Sequence, residues 1–197
     1  MQTRTLFTAA SAMAIAAGMA LAGPASAQEQ EAATEAEAAS NQVTASADLM
    51  TSEGEAAGTV AIVETPHGLL VQLDAEGLPA GGHGFHIHET GQCDAPDFQS
   101  AGGHFAPEGN QHGVLSEGGP HAGDLPNIYV PESGALRADF FVPNVTIADG
   151  DDALLDDDGA AFMIHSSIDD YETDPAGDAG ERIACGVVAA VAEPAAQ

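Results

Sequence analysis

The sequence predicts an all-β domain, an antiparallel sandwich or barrel, and three observations carry that prediction. Short runs of β-type residues alternate apolar with polar positions or are apolar throughout. Gly- and Pro-containing turn signals separate the runs. No helical period of apolar residues extends across the body of the chain.

The elements follow in order. Residues 1–27 have the parts of a secretory signal peptide: Arg4 in the n-region, an alanine-rich apolar stretch over 6–22, and an Ala25-Ser26-Ala27 cleavage site. Residues 28–42 are low-complexity, mostly Glu, Ala, Gln, Ser and Thr with no apolar face, and read as a disordered acidic leader. The domain is expected over 43–193. Within it 58–65 (GTVAIVET), 85–88 (FHIH) and 136–142 (LRADFFV) alternate, whereas 68–73 (GLLVQL), 161–165 (AFMIH) and 183–191 (IACGVVAAV) read as more buried strands. Turns are expected at 66–68, 79–82, 131–134 and 158–159. Two long segments, 89–131 and 169–182, carry no strand pattern, and loops of that length in a compact domain are usually functional.

Charge narrows the partners. The 197 residues hold 31 acids against three arginines and no lysine, a formal net charge of −28. Such a chain has no basic face for nucleic acid or for an anionic membrane surface. Its only long apolar run lies at the N-terminus, which argues against an integral membrane protein. The two cysteines, Cys93 and Cys185, are expected to form a disulfide in an oxidising compartment. Closing a loop that long is worth roughly 4–5 kcal/mol in the chain-entropy account.

The eight histidines point to metal chemistry. His86 and His88 stand at i and i+2 in a strand, so both rings project from one face. His104, His112 and His121 follow at spacings suited to a loop folded around an ion, with Asp124 just beyond and His165 ending an apolar strand. Imidazole nitrogen suits zinc and copper, and an aspartate oxygen suits zinc. Seven ligands exceed what one ion needs, which favours two metals. His67 is expected in an exposed turn, and His83 lies outside the ligand set. The acidic stretch 149–158 lacks the spacing of a calcium loop and reads as solvated.

The segments GFHIHETGQCDAPDFQSAGGHF (84–105), GPHAGDLPN (119–127), MIHSSIDDY (163–171) and GERIACGV (180–187) resemble the Cu/Zn superoxide dismutase family, in its exported bacterial branch. That resemblance covers roughly 43–191. It implies a Greek-key, immunoglobulin-like β-sandwich or barrel with two long functional loops. It implies copper on His86, His88, His104 and His165, and zinc on His104, His112, His121 and Asp124, with the His104 ring shared. Asp169 would link His86 to His112 behind the ligands, Cys93 and Cys185 would be the family disulfide, and Arg182 would hold the anionic substrate. Arg182 and His104 would thus be the catalytic residues. The implied reaction is dismutation of superoxide to dioxygen and hydrogen peroxide, copper cycling between Cu(II) and Cu(I) while zinc holds the bridge. A periplasmic destination follows, and a homodimer and a monomer are both compatible with it. The competing reading is a periplasmic copper/zinc store on the same scaffold, which would not need Arg182; a mononuclear zinc hydrolase would need an open zinc position. Two features depart from the family: the lysines that help steer superoxide are absent, and Glu181, with Asp174 and Asp178 nearby, places negative charge beside Arg182. A weaker or inverted salt dependence is expected.

Overall fold

A computed structural model describes residues 44–191; the expected signal peptide, the acidic leader and the outermost residues of the expected domain lie outside them. Among the described residues ten strands run in chain order: β1 (Ala45–Thr51), β2 (Ala56–Thr65), β3 (Gly68–Ala75), β4 (Gly81–His83), β5 (Phe85–His88), β6 (Ile128–Val130), β7 (Leu136–Pro143), β8 (Ala161–His165), β9 (Arg182–Val187) and β10 (Ala189–Ala190). The sole helical element among the described residues is a 3-10 turn at Gln99–Ala101. No helix among them is long and apolar enough to cross a membrane.

All strand pairs are antiparallel. The large sheet has the order β5-β8-β9-β1-β2-β3-β7, with β10 against β1. The chain therefore leaves β3 near one end of the sheet and re-enters at β5 on the other end, a Greek-key crossing. A small sheet pairs β4 with β6. Only Gly84 separates β4 from β5, and the turn 131–135 joins β6 to β7, so the small sheet connects the two edges of the large one. The expected all-β antiparallel architecture is what the chain forms.

The local reasons are those of period-two patterning. In β7, Leu136, Ala138, Phe140 and Val142 face inward while Arg137, Asp139 and Phe141 face out. The core contains Val60, Ile62, Val71, Phe85, Phe162 and Ile164, all sealed from solvent. Burying such side chains is worth about 1.5–3 kcal/mol each. A second cluster packs Phe98, Met163 and Ala161 around the Cys93–Cys185 disulfide, which pins the first long loop to β9.

The structure differs from the sequence reading at five strands. The sequence does not predict β1, because ASADLMT buries small residues at Ala45 and Ala47 beside Leu49 and shows little β-type character. β4 lies across the expected Pro79–Gly82 turn. β6 interrupts the first expected loop with three residues, and Arg182 opens β9 instead of closing the second loop. The expected strand 183–191 breaks at Val188, which is buried and donates its N–H to Ala160 O, so β10 turns away to pair with β1.

Candidate metal centre

The site forms along the free edge of β5. Its four residues are buried on both faces: Phe85 and Ile87 enter the core, and His86 and His88 point together to the opposite face, under the first long loop. That loop returns twice to the strand. Ile87 donates its N–H to Gly123 O at 2.9 Å and accepts the N–H of Phe105 at 2.8 Å, while Glu89 donates to Gly103 O at 3.0 Å. Strand-like pairing thus sets His104 opposite His88 and Asp124 opposite His86. Gly123 is required there, since a Cβ would collide with Ile87 O. His165 arrives from β8, where a register shift after Ile164 turns its ring toward the same place.

Two clusters result, sharing His104. In the first, one ring nitrogen each from His86, His88, His104 and His165 lie within 4.8 Å of one another. All four residues are buried. The nitrogens His86 Nδ1, His88 Nε2, His104 Nε2 and His165 Nε2 are buried with no hydrogen-bond partner. Each orphaned buried polar atom costs about 1–3 kcal/mol. The far nitrogens fix the tautomers that leave those lone pairs facing inward: His86 Nε2 donates to Asp169 Oδ2 (2.9 Å), His88 Nδ1 to Gly102 O (3.1 Å) and His165 Nδ1 toward Gly180 O (3.4 Å). Four convergent imidazole lone pairs fit a copper ion.

In the second cluster three nitrogens converge on one oxygen. Asp124 Oδ1 lies 2.8 Å from His104 Nδ1, 3.0 Å from His112 Nδ1 and 3.1 Å from His121 Nδ1. Asp124 Oδ2 accepts the backbone N–H groups of Gly113 (2.8 Å) and His121 (3.0 Å), which leaves Oδ1 free for the cluster. Three imidazoles and one carboxylate form a closed donor set that fits zinc.

The electrostatics divide the clusters. Burial holds His104 down to about 4, against its hydrogen bond to Asp124. Burial, with the neighbouring His86, holds His165 down to about 3, and burial likewise lowers His88. Burial opposes the charge on His112 too, but Asp124 and Asp169 outweigh it and raise this histidine to about 9. Burial also works against ionising Asp124 and Asp169, yet their histidine hydrogen bonds keep both carboxyls well below the usual range.

Asp169 joins the clusters from behind, taking His86 Nε2 on Oδ2 and His112 Nε2 on Oδ1, both at 2.9 Å. Arg182 donates from Nη1 to Phe98 O and from Nη2 to Gly102 O, both at 2.7 Å. Gly102 O therefore serves both Arg182 and His88. A cavity of about 400 Å³ opens beside it, lined by His88, His104, His165, Gly180 and Arg182. The other arginine of the described residues, Arg137, is exposed and pairs with Asp74.

Several residues near the site have no part assigned by the sequence reading. His83 is buried, with Nδ1 at 2.8 Å from His165 O and Nε2 at 2.9 Å from Pro79 O. Asp174, in sequence only an added negative charge, accepts the His112 N–H on Oδ1 at 2.9 Å. Glu181 and Asp178 are exposed, as is His67. For His83 the available signal is an extra histidine immediately ahead of a ligand strand; for Asp174 no local signal exists.

The family profile described as copper/zinc superoxide dismutase (SODC) matches residues 56–188. The chain is 49% identical over 146 residues to "Superoxide dismutase [Cu-Zn] 2" of Aquifex aeolicus, covering 73% of this chain and 85% of that protein. Among solved structures, a SOD-like protein from Bacillus subtilis superimposes with a TM-score of 0.70 at 41% identity, covering 72% of this chain and 96% of the other. The Cu/Zn superoxide dismutase of Brucella abortus does so with a TM-score of 0.57 at 30% identity, covering 72% and 97%. With two histidine clusters meeting at one ring inside the matched span, the chain belongs to the copper/zinc superoxide dismutase family.

Proposed function

We propose that the chain dismutates superoxide at the first cluster, with copper on His86, His88, His104 and His165 and zinc on His104, His112, His121 and Asp124. The observation that carries the reading is the set of four unpartnered, buried ring nitrogens that shares His104 with a closed His/Asp cluster. Bound copper supplies reversible one-electron exchange, and zinc supplies a fixed positive charge that holds the shared ring.

The chain's own residues do the rest. Arg182 is held by two carbonyls, so its remaining N–H groups and its charge face the cavity and orient an anion there. His104 lines the same cavity, and its Nε2 would hold or return one of the two protons that convert two superoxide ions to dioxygen and hydrogen peroxide. Asp169 keeps the His86 and His112 rings aimed. The closed loop over β5 excludes water from the ligand nitrogens.

The segment 1–27 is assigned as a signal peptide and the periplasm as the destination. The disulfide fits an oxidising compartment. Expression of the full chain, with the mass of the exported product, tests this: processing to a start at Gln28 is expected, and an unprocessed cytosolic product overturns it. For the activity, residues 28–197 are loaded with both metals, their content is verified, and superoxide decay is followed after pulse radiolysis. Rapid decay, approaching the diffusion ceiling of about 10⁸–10⁹ M⁻¹s⁻¹, is expected. Slow decay with both metals bound overturns the reading in favour of a metal store.

A further inference from the structure

We infer that Asn127 is a positioning residue of the two-metal site, acting through Asp169. This rests on the reading that the two clusters hold copper and zinc. Asn127 immediately precedes β6 and is buried, only 9% exposed. Its Nδ2 donates to the main-chain carbonyl of Asp169 at 2.8 Å, and its Oδ1 accepts the main-chain N–H of the same residue at 2.8 Å. The amide thus grips Asp169 at both polar ends, as a neighbouring strand would. Asn127 N–H donates to the Tyr171 phenolic oxygen at 2.8 Å, and Tyr171 N–H donates back to Asp169 Oδ1 at 2.6 Å, which closes the ring of contacts.

The consequence lies in what Asp169 holds. It belongs to the second long loop, yet its two oxygens aim His86 in one cluster and His112 in the other. The Asn127 side chain ties that loop residue to β6, and so to the barrel. Gly177 completes the seat, because a Cβ there would collide with Asp169 Oδ1 and press on His112 Nε2. Main chain and carboxylate are both immobilised before any ion binds. Ligand orientation on both sides of His104 therefore depends on one amide outside either ligand set.

The chemistry requires asparagine. The seat needs one donor and one acceptor in a planar fork. Aspartate offers acceptors only and would face the Asp169 carbonyl without a proton. Alanine offers neither and leaves a buried N–H and C=O unpaired.

The test uses the chain freed of metal by chelation, with wild type, Asn127→Ala, Asn127→Asp, Asp169→Asn and the Asn127→Ala/Asp169→Asn double variant. Zinc affinity is read by competition with a chromophoric chelator, and ligand geometry by the visible spectrum after cobalt(II) is placed in the zinc site. Asn127→Ala is expected to lower zinc affinity about 10- to 100-fold and to alter the cobalt spectrum. In the Asp169→Asn background it should add less than about two-fold, because its path is already cut. Wild-type affinity and an unchanged spectrum in Asn127→Ala overturn the inference, as does full additivity with Asp169→Asn. Should Asn127→Ala fail to fold, the near-isosteric Asn127→Asp carries the same readouts and the same two outcomes. A wild-type chain that takes up no zinc overturns the metal assignment itself, a result distinct from a variant that binds like wild type.

Discussion

The two clusters that meet at His104 are built on opposite principles. The four-histidine cluster draws His86 and His88 from β5 and His165 from β8, and its inward nitrogens have no protein partner. The His/Asp cluster draws its members from one loop, and each inward nitrogen already meets Asp124 Oδ1. The first is held by the sheet in an arrangement that costs free energy without an ion. The second stands on loop backbone but satisfies itself. Sheet scaffolding thus supports the unsatisfied set, and internal pairing supports the loop set.

The sharpest way to break this contrast is to delete one member of each cluster in the metal-free protein. Asp124→Ala strips three buried imidazoles of their common acceptor and should cost on the order of 3–5 kcal/mol in chemical denaturation. His165→Leu removes an orphaned nitrogen and should leave metal-free stability within about 1 kcal/mol, while abolishing copper uptake. Equal losses for the two variants would show that the clusters are not energetically distinct.

The pH dependence of metal-free stability should separate them next. His104 and His165 have folded pKa values near 4 and 3, below the ordinary 6.5, so the unfolded chain binds more protons in between. Above pH 6.5 both are neutral in the folded and unfolded chain and carry no penalty; as pH falls toward those values the fold loses stability, by up to roughly 1.4 kcal/mol for each pH unit separating the folded from the unfolded pKa. Asp124, with its depressed folded pKa, adds a loss as pH falls below the usual 3.8. His112 runs the other way: raised to about 9, it contributes fully below 6.5 and loses that contribution as pH climbs through 9. Denaturant midpoints from pH 3 to 10 should therefore peak near neutrality, and Asp124→Ala should flatten the alkaline limb.

Smaller effects are expected at the cavity mouth. Arg182→Ala should lower kcat/KM for superoxide about 10-fold, with Arg182→Lys intermediate because a lysine keeps the charge but cannot span Phe98 O and Gly102 O together. Glu181→Gln should raise the rate at low salt by no more than about three-fold, an advantage that vanishes as screening shortens the field. For the wild type, kcat/KM should change little with salt or rise with it, since the chain is strongly anionic. A steep fall with salt would mean that local charge at Arg182 dominates the whole-molecule field.

Much of the fold is legible without coordinates. β5 and β8 can be read at their observed bounds because FHIH and AFMIH are bordered by glycines or turn residues and contain bulky β-type side chains. β1, β4 and β6 escape for a shared reason. The alanines of β1 and the glycines of β4 carry little local β preference, and Ile128-Tyr129-Val130 of β6, though strong β formers, are too few to show a period; only cross-strand pairing makes these segments strands. Gly82 illustrates it: a turn glycine by sequence, it lies in β4 through its pairing with Tyr129 of β6.

Residue type and spacing along the chain already carry the inventory: the alternation that builds an antiparallel sheet, the histidines and aspartate of two donor sets, two cysteines, and one arginine next to the second long loop. These are local or compositional properties, carried by residue type and spacing. Packing in three dimensions sets which nitrogen of each ring turns inward, that Gly102 O is shared between His88 and Arg182, that Asp174 holds the His112 backbone, and that Asn127 seats Asp169. Each of these depends on segments far apart in the chain meeting within hydrogen-bond distance, and no spacing along a single strand or loop encodes such a meeting.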